Sequence, residues 1–248
     1  MGIFYNSRTS TVLATGYATA AEIECALSNF PRAITLRVVD ALNLELLPAE
    51  LGILRNLVIK DCPQFRTLHE LGGITDIKVC RCPSFDLTRS HEGVGYAYFR
   101  DCPSLTSVSG LKSVYTLDIR NCHGLTQVGP LHRSGLLYVE DCENVKEIGG
   151  SSEVKTAPHR NRTYQEFHSP RVVSLVALPK LHCVSDMRET QELEISNCGS
   201  LLAVRCDRSL NLRKVDIRDC PRLMTLQLLE RVREVNITIS NCPGVRPE

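Results

Sequence analysis

Residues 100–108 read RDCPSLTSV, and variants of that phrase recur along the chain: KDCPQFRTL (60–68), RCPSFDLT (81–88), RNCHGLTQV (120–128), EDCENVKEI (140–148), SNCGSLLAV (196–204), RDCPRLMTL (218–226) and SNCPGVRPE (240–248). The cysteines Cys62, Cys82, Cys102, Cys122 and Cys142 stand 20 residues apart, and Cys198, Cys220 and Cys242 follow at intervals of 22. A fixed period of this length marks a repeat array in which each unit is one supersecondary element.

With the cysteine as position zero, apolar residues recur at fixed offsets. Five before it come Leu57, Ile77, Ala97, Leu117, Leu137, Leu193, Val215 and Ile237. Three before it come Ile59, Val79, Phe99, Ile119, Val139, Ile195, Ile217 and Ile239. Three after it come Phe65, Phe85, Leu105, Leu125, Val145, Leu201, Leu223 and Val245, and six after it Leu68, Val108, Val128, Ile148, Val204 and Leu226. Two further units keep the frame without cysteine. One has Ala41 at zero with Leu36, Val38, Leu44 and Leu47; the other has Leu178 at zero with Val173, Leu175, Leu181 and Val184. Val154 and Ala157, ahead of Pro158, make a weaker eleventh candidate.

The minus-five and minus-three pair alternates with polar neighbours, the period of a short strand with one buried face. After the cysteine the apolar spacing becomes three, which suits extended or 3₁₀ segments better than an α-helix. Pro63, Pro83, Pro103, Pro221 and Pro243 sit where each strand must end. Asp or Asn usually precedes the cysteine, and its short side-chain acceptor is expected to satisfy backbone donors at that corner. Stacked coils would then form one parallel sheet over a core that no single coil buries alone.

The pattern L-x-x-L-x-L-x-x-C-x-x-L/I, written here as LKSVYTLDIRNCHGL (111–125), resembles the cysteine-containing subclass of the leucine-rich repeat family. The resemblance runs over roughly residues 34–247. It implies an α/β repeat solenoid: a leucine-rich-repeat horseshoe with a parallel concave sheet, a mostly non-helical convex side and a small N-terminal helical cap. Residues 1–33 would be that cap, a hairpin plus a helix, and 34–248 a solenoid of about ten coils interrupted at 149–171. Similar cysteine-bearing repeats occur in F-box substrate adaptors, plant immune receptors and protist repeat proteins. LLPAEL (46–51) is similar to the start of an F-box, but it lies within the first coil's frame and reads as repeat.

The eight in-frame cysteines read as a reduced, buried structural ladder. Metal binding needs local ligand pairs, and Cys80-x-Cys82 supplies only a C-x-C. Disulfides need an oxidising compartment, for which the sequence carries no secretory signal. A buried thiol behaves as a small apolar filler that donates weakly to a nearby carbonyl. Cys25, Cys183 and Cys206 lie off the ladder. No cofactor, small-molecule substrate or membrane span is expected, since no apolar run approaches the ~18–20 residues needed to cross a bilayer. An intracellular reducing compartment follows: the cytoplasm, with the mitochondrial matrix as alternative because the first twenty residues are rich in Ser and Thr and contain no acid.

Thr19 and Glu22 form a T-x-x-E capping box ahead of a helix from about Ala20 to Asn29, with Ile23, Leu27 and Phe30 as its apolar stripe. No comparable device covers the last strand, so a partner is expected on an uncapped C-terminal end. Residues 149–171 break the period and hold Lys155, Arg160, Arg162, Tyr164 and Arg171. Basic and aromatic groups together suit RNA or phosphate contact. The competing reading is a degenerate coil with a solvated insertion, since Glu153 and Glu166 offset two of the charges.

Positions minus four and minus two should point away from the core, onto the concave face. Arg37, Lys60, Lys78, Tyr98, Arg100, Arg120 and Tyr138, with Asp118 and Glu140, form the partner-binding candidate, because Arg and Tyr are enriched at interface hot spots. The net charge of +1 selects no class of partner. The chain contains no G-x-S-x-G, H-E-x-x-H, P-loop or G-x-G-x-x-G, so no enzyme is expected. The expectation is a non-catalytic scaffold or structural subunit of a larger assembly. An RNA-contacting component of a ribonucleoprotein is the first alternative, and a substrate-recognition subunit of a ubiquitin ligase the second.

Overall fold

The structure is a computed structural model that describes residues 2–69, 73–87, 91, 93–111, 114–129, 134–149, 170–185, 187, 189–206, 209, 211–228 and 235–245. Its elements are β1 (Ile3–Asn6), β2 (Thr11–Thr15), α1 (Ala20–Asn29), β3 (Thr35–Val39), β4 (Asn56–Lys60), β5 (Asp76–Cys80), β6 (Tyr96–Arg100), β7 (Thr116–Arg120), β8 (Gln127–Val128), β9 (Leu136–Glu140), β10 (Glu147–Ile148), β11 (Val172–Val176), β12 (Cys183–Val184), β13 (Glu192–Ser196), β14 (Ala203–Cys206), β15 (Lys214–Arg218), β16 (Thr225–Leu228) and β17 (Asn236–Ser240). They build a parallel β-solenoid with two walls. The long wall is a 12-stranded sheet, ordered β1-β2-β3-β4-β5-β6-β7-β9-β11-β13-β15-β17, and the short wall is a 5-stranded sheet, ordered β16-β14-β12-β10-β8.

The repeat frame sets the register. Leu57 faces Ile77, Ile77 faces Ala97 and Ala97 faces Leu117, so every offset forms a row across the sheet. The minus-five, minus-three, zero, plus-three and plus-six rows fill the space between the walls. In one coil these are Leu57, Ile59, Cys62, Phe65 and Leu68, none more than 1% exposed. Burying such a Leu, Ile or Phe side chain is worth about 1.5–3 kcal/mol, and stacking is what buries it. Phe65, Phe85 and Phe99 continue this packing as a stack with centroids 5.8 Å apart at each step.

Each long-wall strand from β3 onward ends at a single left-handed residue. Asp40, Asp61, Arg81, Asp101, Asn121, Asp141, Ala177, Asn197, Asp219 and Asn241 all have φ between 51° and 56°. Asn and Asp are common here because they tolerate that conformation best. Their side chains do not serve the corner's backbone donors as expected. The corner N–H is already taken: that of Asp101 donates to the Arg120 carbonyl at 3.1 Å, in the next coil. The side chains are therefore free to link coils. The Asn121 amide donates to Asp101, the Asn241 amide donates to Asp219 at 2.7 Å, and the Arg81 guanidinium donates to Asp61. A β-turn follows, closed by Leu105 N–H to the Cys102 carbonyl at 3.1 Å, with Pro103 at the position where its fixed φ fits.

The second sheet replaces the merely extended segments read after the cysteine. Residues at plus five and plus six pair in parallel, as in Glu147 with Cys183 and Ile148 with Val184. Among the described residues the coils contain strand and turn only, so the α/β expectation reduces to one helix outside the repeats. That helix, α1, begins at the Thr19–Glu22 capping box. Its Ile23 is fully buried, and Phe30 beyond its end stacks on Tyr5 of β1 at 4.2 Å. β1 and β2 form an antiparallel hairpin, and β2 adds in parallel to β3. Residues 46–51 contain no helix and place Leu47 and Leu51 in the core.

Candidate functional site

No disulfide joins any of the cysteines, all of which lie among the described residues. The ladder thiols are buried and donate to the carbonyl two residues back, as from Cys62 to Lys60 at 3.2 Å, Cys102 to Arg100 at 3.3 Å and Cys122 to Arg120 at 3.4 Å. Burial pushes Cys142 up to about 11. Hydrogen bonding with Cys82, Cys122 and Cys220 lowers Cys62, Cys102 and Cys198 instead, so the thiols pair along the ladder while filling the core. No group of three or more His, Cys, Asp or Glu among the described residues could hold a metal ion.

The outer face of the long sheet carries the predicted partner-binding residues. Its pleat alternates as expected: in β6, Ala97 and Phe99 are buried while Tyr96, Tyr98 and Arg100 face out. Arg37 on β3, Lys78 on β5, Arg100 on β6 and Arg120 on β7 are exposed; Lys60 on β4, Tyr98 on β6 and Tyr138 on β9 are half-buried. Register sets Lys78 beside Tyr98, Tyr98 beside Asp118, and Asp118 beside Tyr138. Arg100 stands beside Arg120, and Arg120 beside Glu140. The structure therefore brings Lys78, Tyr98, Arg100, Arg120 and Tyr138 into one patch, with Lys60 one strand further and Arg37 at its end.

Several contacts hold this patch in shape. The Lys78 ammonium lies 4.8 Å from the Tyr98 ring centroid, a cation–π arrangement. Arg120 donates to both carboxylate oxygens of Asp118, at 2.8 and 3.1 Å, and reaches Glu140 at 3.2 Å. Asp118 raises the Arg120 guanidinium above its ordinary value. Arg100 reaches Asp101 at 3.4 Å and Lys60 reaches Asp61 at 3.8 Å, both looser pairs. Burial, with Asp118 nearby, raises Tyr96.

Cys80 and Tyr96 also lie on this face, outside the residues that the sequence singles out. Cys80 stands out in the sequence only as half of a C-x-C pair. Tyr96 sits at minus six, one step beyond the offsets read as outward, and extending the period of two would have found it. Further along the same face the bracket repeats: Arg218 donates to both oxygens of Asp216, at 2.7 and 2.6 Å.

Of the interruption residues, Lys155, Arg160, Arg162 and Tyr164 lie outside the described residues. Arg171 is exposed immediately ahead of β11, its N–H bound to the Gly135 carbonyl at 2.8 Å. At the far end of the long sheet, Ile237 of β17 is 46% exposed, whereas its counterpart Val215 is fully buried. Among the described residues no helix is long and apolar enough to cross a membrane. No family model, curated protein or solved structure matches the chain.

Proposed function

We propose that the chain is a leucine-rich-repeat solenoid of the cysteine-containing kind and serves as a non-catalytic protein-binding scaffold or structural subunit. The outer face of the long sheet would be the concave wall of the horseshoe, α1 and its hairpin the N-terminal cap, and the exposed edge at β17 a second contact. One observation carries the reading: Lys78, Tyr98, Arg100, Arg120 and Tyr138 form a contiguous patch on one in-register sheet. Arg and Tyr are the side chains that most often anchor protein interfaces, and pre-set side chains lose little freedom on binding. Free, buried thiols fit a reducing intracellular compartment. Native purification of the tagged chain followed by mass spectrometry tests the proposal: a stoichiometric protein partner, lost with Tyr98→Ala plus Tyr138→Ala, is the expected result. Recovery of RNA instead, with binding abolished by Arg160→Ala plus Arg162→Ala, would favour the ribonucleoprotein reading. The ubiquitin-ligase reading finds little support in residues 46–51, which form part of a coil.

A further inference from the structure

Cys80 has one heavy atom beyond Cβ, and it is flanked by long side chains. It is the in-register neighbour of Lys60 on one side and of Arg100 on the other. Lys78 stands two residues earlier on the same face of the same strand. Adjacent parallel strands are ~4.8 Å apart, so the three cationic stems crowd around the short Cys80 side chain, which is 7% exposed, and leave a shallow dent above it. Tyr98 borders it, held against the Lys78 ammonium.

The cations around this dent are weakly neutralised. Lys78 makes no ion pair among the described residues. Among the described residues, Lys60 and Arg100 reach the corner residues Asp61 and Asp101, at 3.8 and 3.4 Å, and both cations are about half exposed. Long, solvated pairs of this kind contribute little, so an incoming anion displaces them at small cost.

We infer that this dent is a recognition site for the carboxylates of an acidic segment of a protein partner, an inference that rests on the protein-binding reading above. Arg100 offers a planar fork and the two lysines offer point charges, which together suit a carboxylate. Tyr98 supplies a flat apolar surface for the neighbouring part of the segment. A nucleic-acid backbone fits less well. It needs a positive track along successive phosphates, but Asp61 and Asp101 line one side of the dent and Asp118 and Glu140 occupy the strands beyond it. Cys80 takes no covalent part, since burial holds its thiol up at about 11.

Fluorescence anisotropy with the full chain provides the test, using a labelled oligoglutamate peptide, an oligoglutamine peptide of equal length and an oligouridylate. Oligoglutamate should bind and oligoglutamine should not. Lys78→Glu and Arg100→Glu, both on exposed side chains, should each weaken oligoglutamate about tenfold. Cys80→Leu keeps every charge but fills the dent and should weaken it to a similar degree, whereas Glu194→Lys on the distant part of the face should not weaken it. Unchanged melting temperatures would establish that the variants fold. Failure of oligoglutamate to bind, indifference to the first three substitutions, or equal binding of oligouridylate with the same residue dependence would overturn the inference. A protein partner that is lost with Tyr98→Ala plus Tyr138→Ala but retained by Lys78→Glu plus Arg100→Glu would overturn it while leaving the scaffold reading intact. Oligoglutamate binding with the expected residue dependence, but no protein partner, would support the carboxylate site and sink the scaffold reading alone.

Discussion

Arg120 lies along its own strand and grips Asp118, two residues earlier, through both carboxylate oxygens at 2.8 and 3.1 Å. Asp118 is only 8% exposed, although it stands on the outer face of the long sheet. The arginine therefore does two jobs: it satisfies a covered carboxylate and it presents its remaining edge to Glu140. Removing it strands a charge with little access to water. Arg120→Ala should cost about 1–2 kcal/mol in urea denaturation. Arg100→Ala, which loses only a longer and more exposed pair, should cost less than about 0.5 kcal/mol.

Asp216 makes the corresponding bracket with Arg218, and it supplies a pH dependence. The guanidinium holds the Asp216 carboxyl below its ordinary value of 3.8. A carboxyl depressed in the folded state stabilises fully above its unfolded value, and that stabilisation is lost as pH falls through the folded value. Wild type should thus lose stability on acidification below pH 3.8 partly through this group. Asp216→Asn should flatten that acid limb while leaving a constant offset at neutral pH. Urea midpoints measured across the acid range would show it; parallel curves for the two proteins would refute the assignment.

Ala177 occupies the left-handed corner at φ 53°, where most coils have Asp or Asn. A non-glycine residue without a polar side chain gains nothing there to offset a cost of ~1–2 kcal/mol. Ala177→Asn should stabilise the protein by ~0.5–1 kcal/mol. Asn121→Ala should destabilise it by ~1–2 kcal/mol, since it also loses the link to Asp101. Denaturant midpoints on the two variants should move in opposite directions.

Thiol labelling separates the packing ladder from the remaining cysteines. Cys25 is exposed and Cys183 half-buried, while the other ten are buried. A native-state reaction with a small alkylating reagent should modify Cys25 first and Cys183 more slowly, the latter because burial raises its thiol. The ladder should react only after denaturation. Reducing agent should not change the melting temperature. A rapid native reaction at Cys102 or Cys122 would contradict the buried placement.

The inner rows were legible because two periods agree: alternation in the strand and a fixed offset from coil to coil. Leu57, Ile59, Cys62 and Phe65 could hardly have faced elsewhere. The short wall was not legible, because β8, β10 and β12 are two residues long and too short for any alternation to register. The corner was half legible. Asp and Asn signal a turn whether they accept hydrogen bonds or tolerate a left-handed backbone. Only Arg81 and Ala177, which cannot serve as side-chain acceptors there, point to the backbone reason. At the candidate face the outward offsets were readable for Lys78, Tyr98 and Arg100. The dent at Cys80 was not, because it comes from the contrast with Lys60 and Arg100 on the neighbouring strands, far away in sequence.

Strand β11 joins β9 row for row, Leu136 opposite Val172, although those partners are 36 residues apart rather than the usual 20. The splice is local: the Gly135 carbonyl takes both the Arg171 and Val172 N–H groups, as the Tyr115 carbonyl takes those of Gly135 and Leu136 one coil earlier. The chain can therefore leave the frame after Gly149 and rejoin it at Arg171 without disturbing the alignment on either side. The seam is thus set by the flanking coils, which repeat there the same carbonyl-to-paired-N–H step as elsewhere in the array. The coils on both sides keep their phase across it, so the long wall is one continuous ladder rather than two arrays joined end to end.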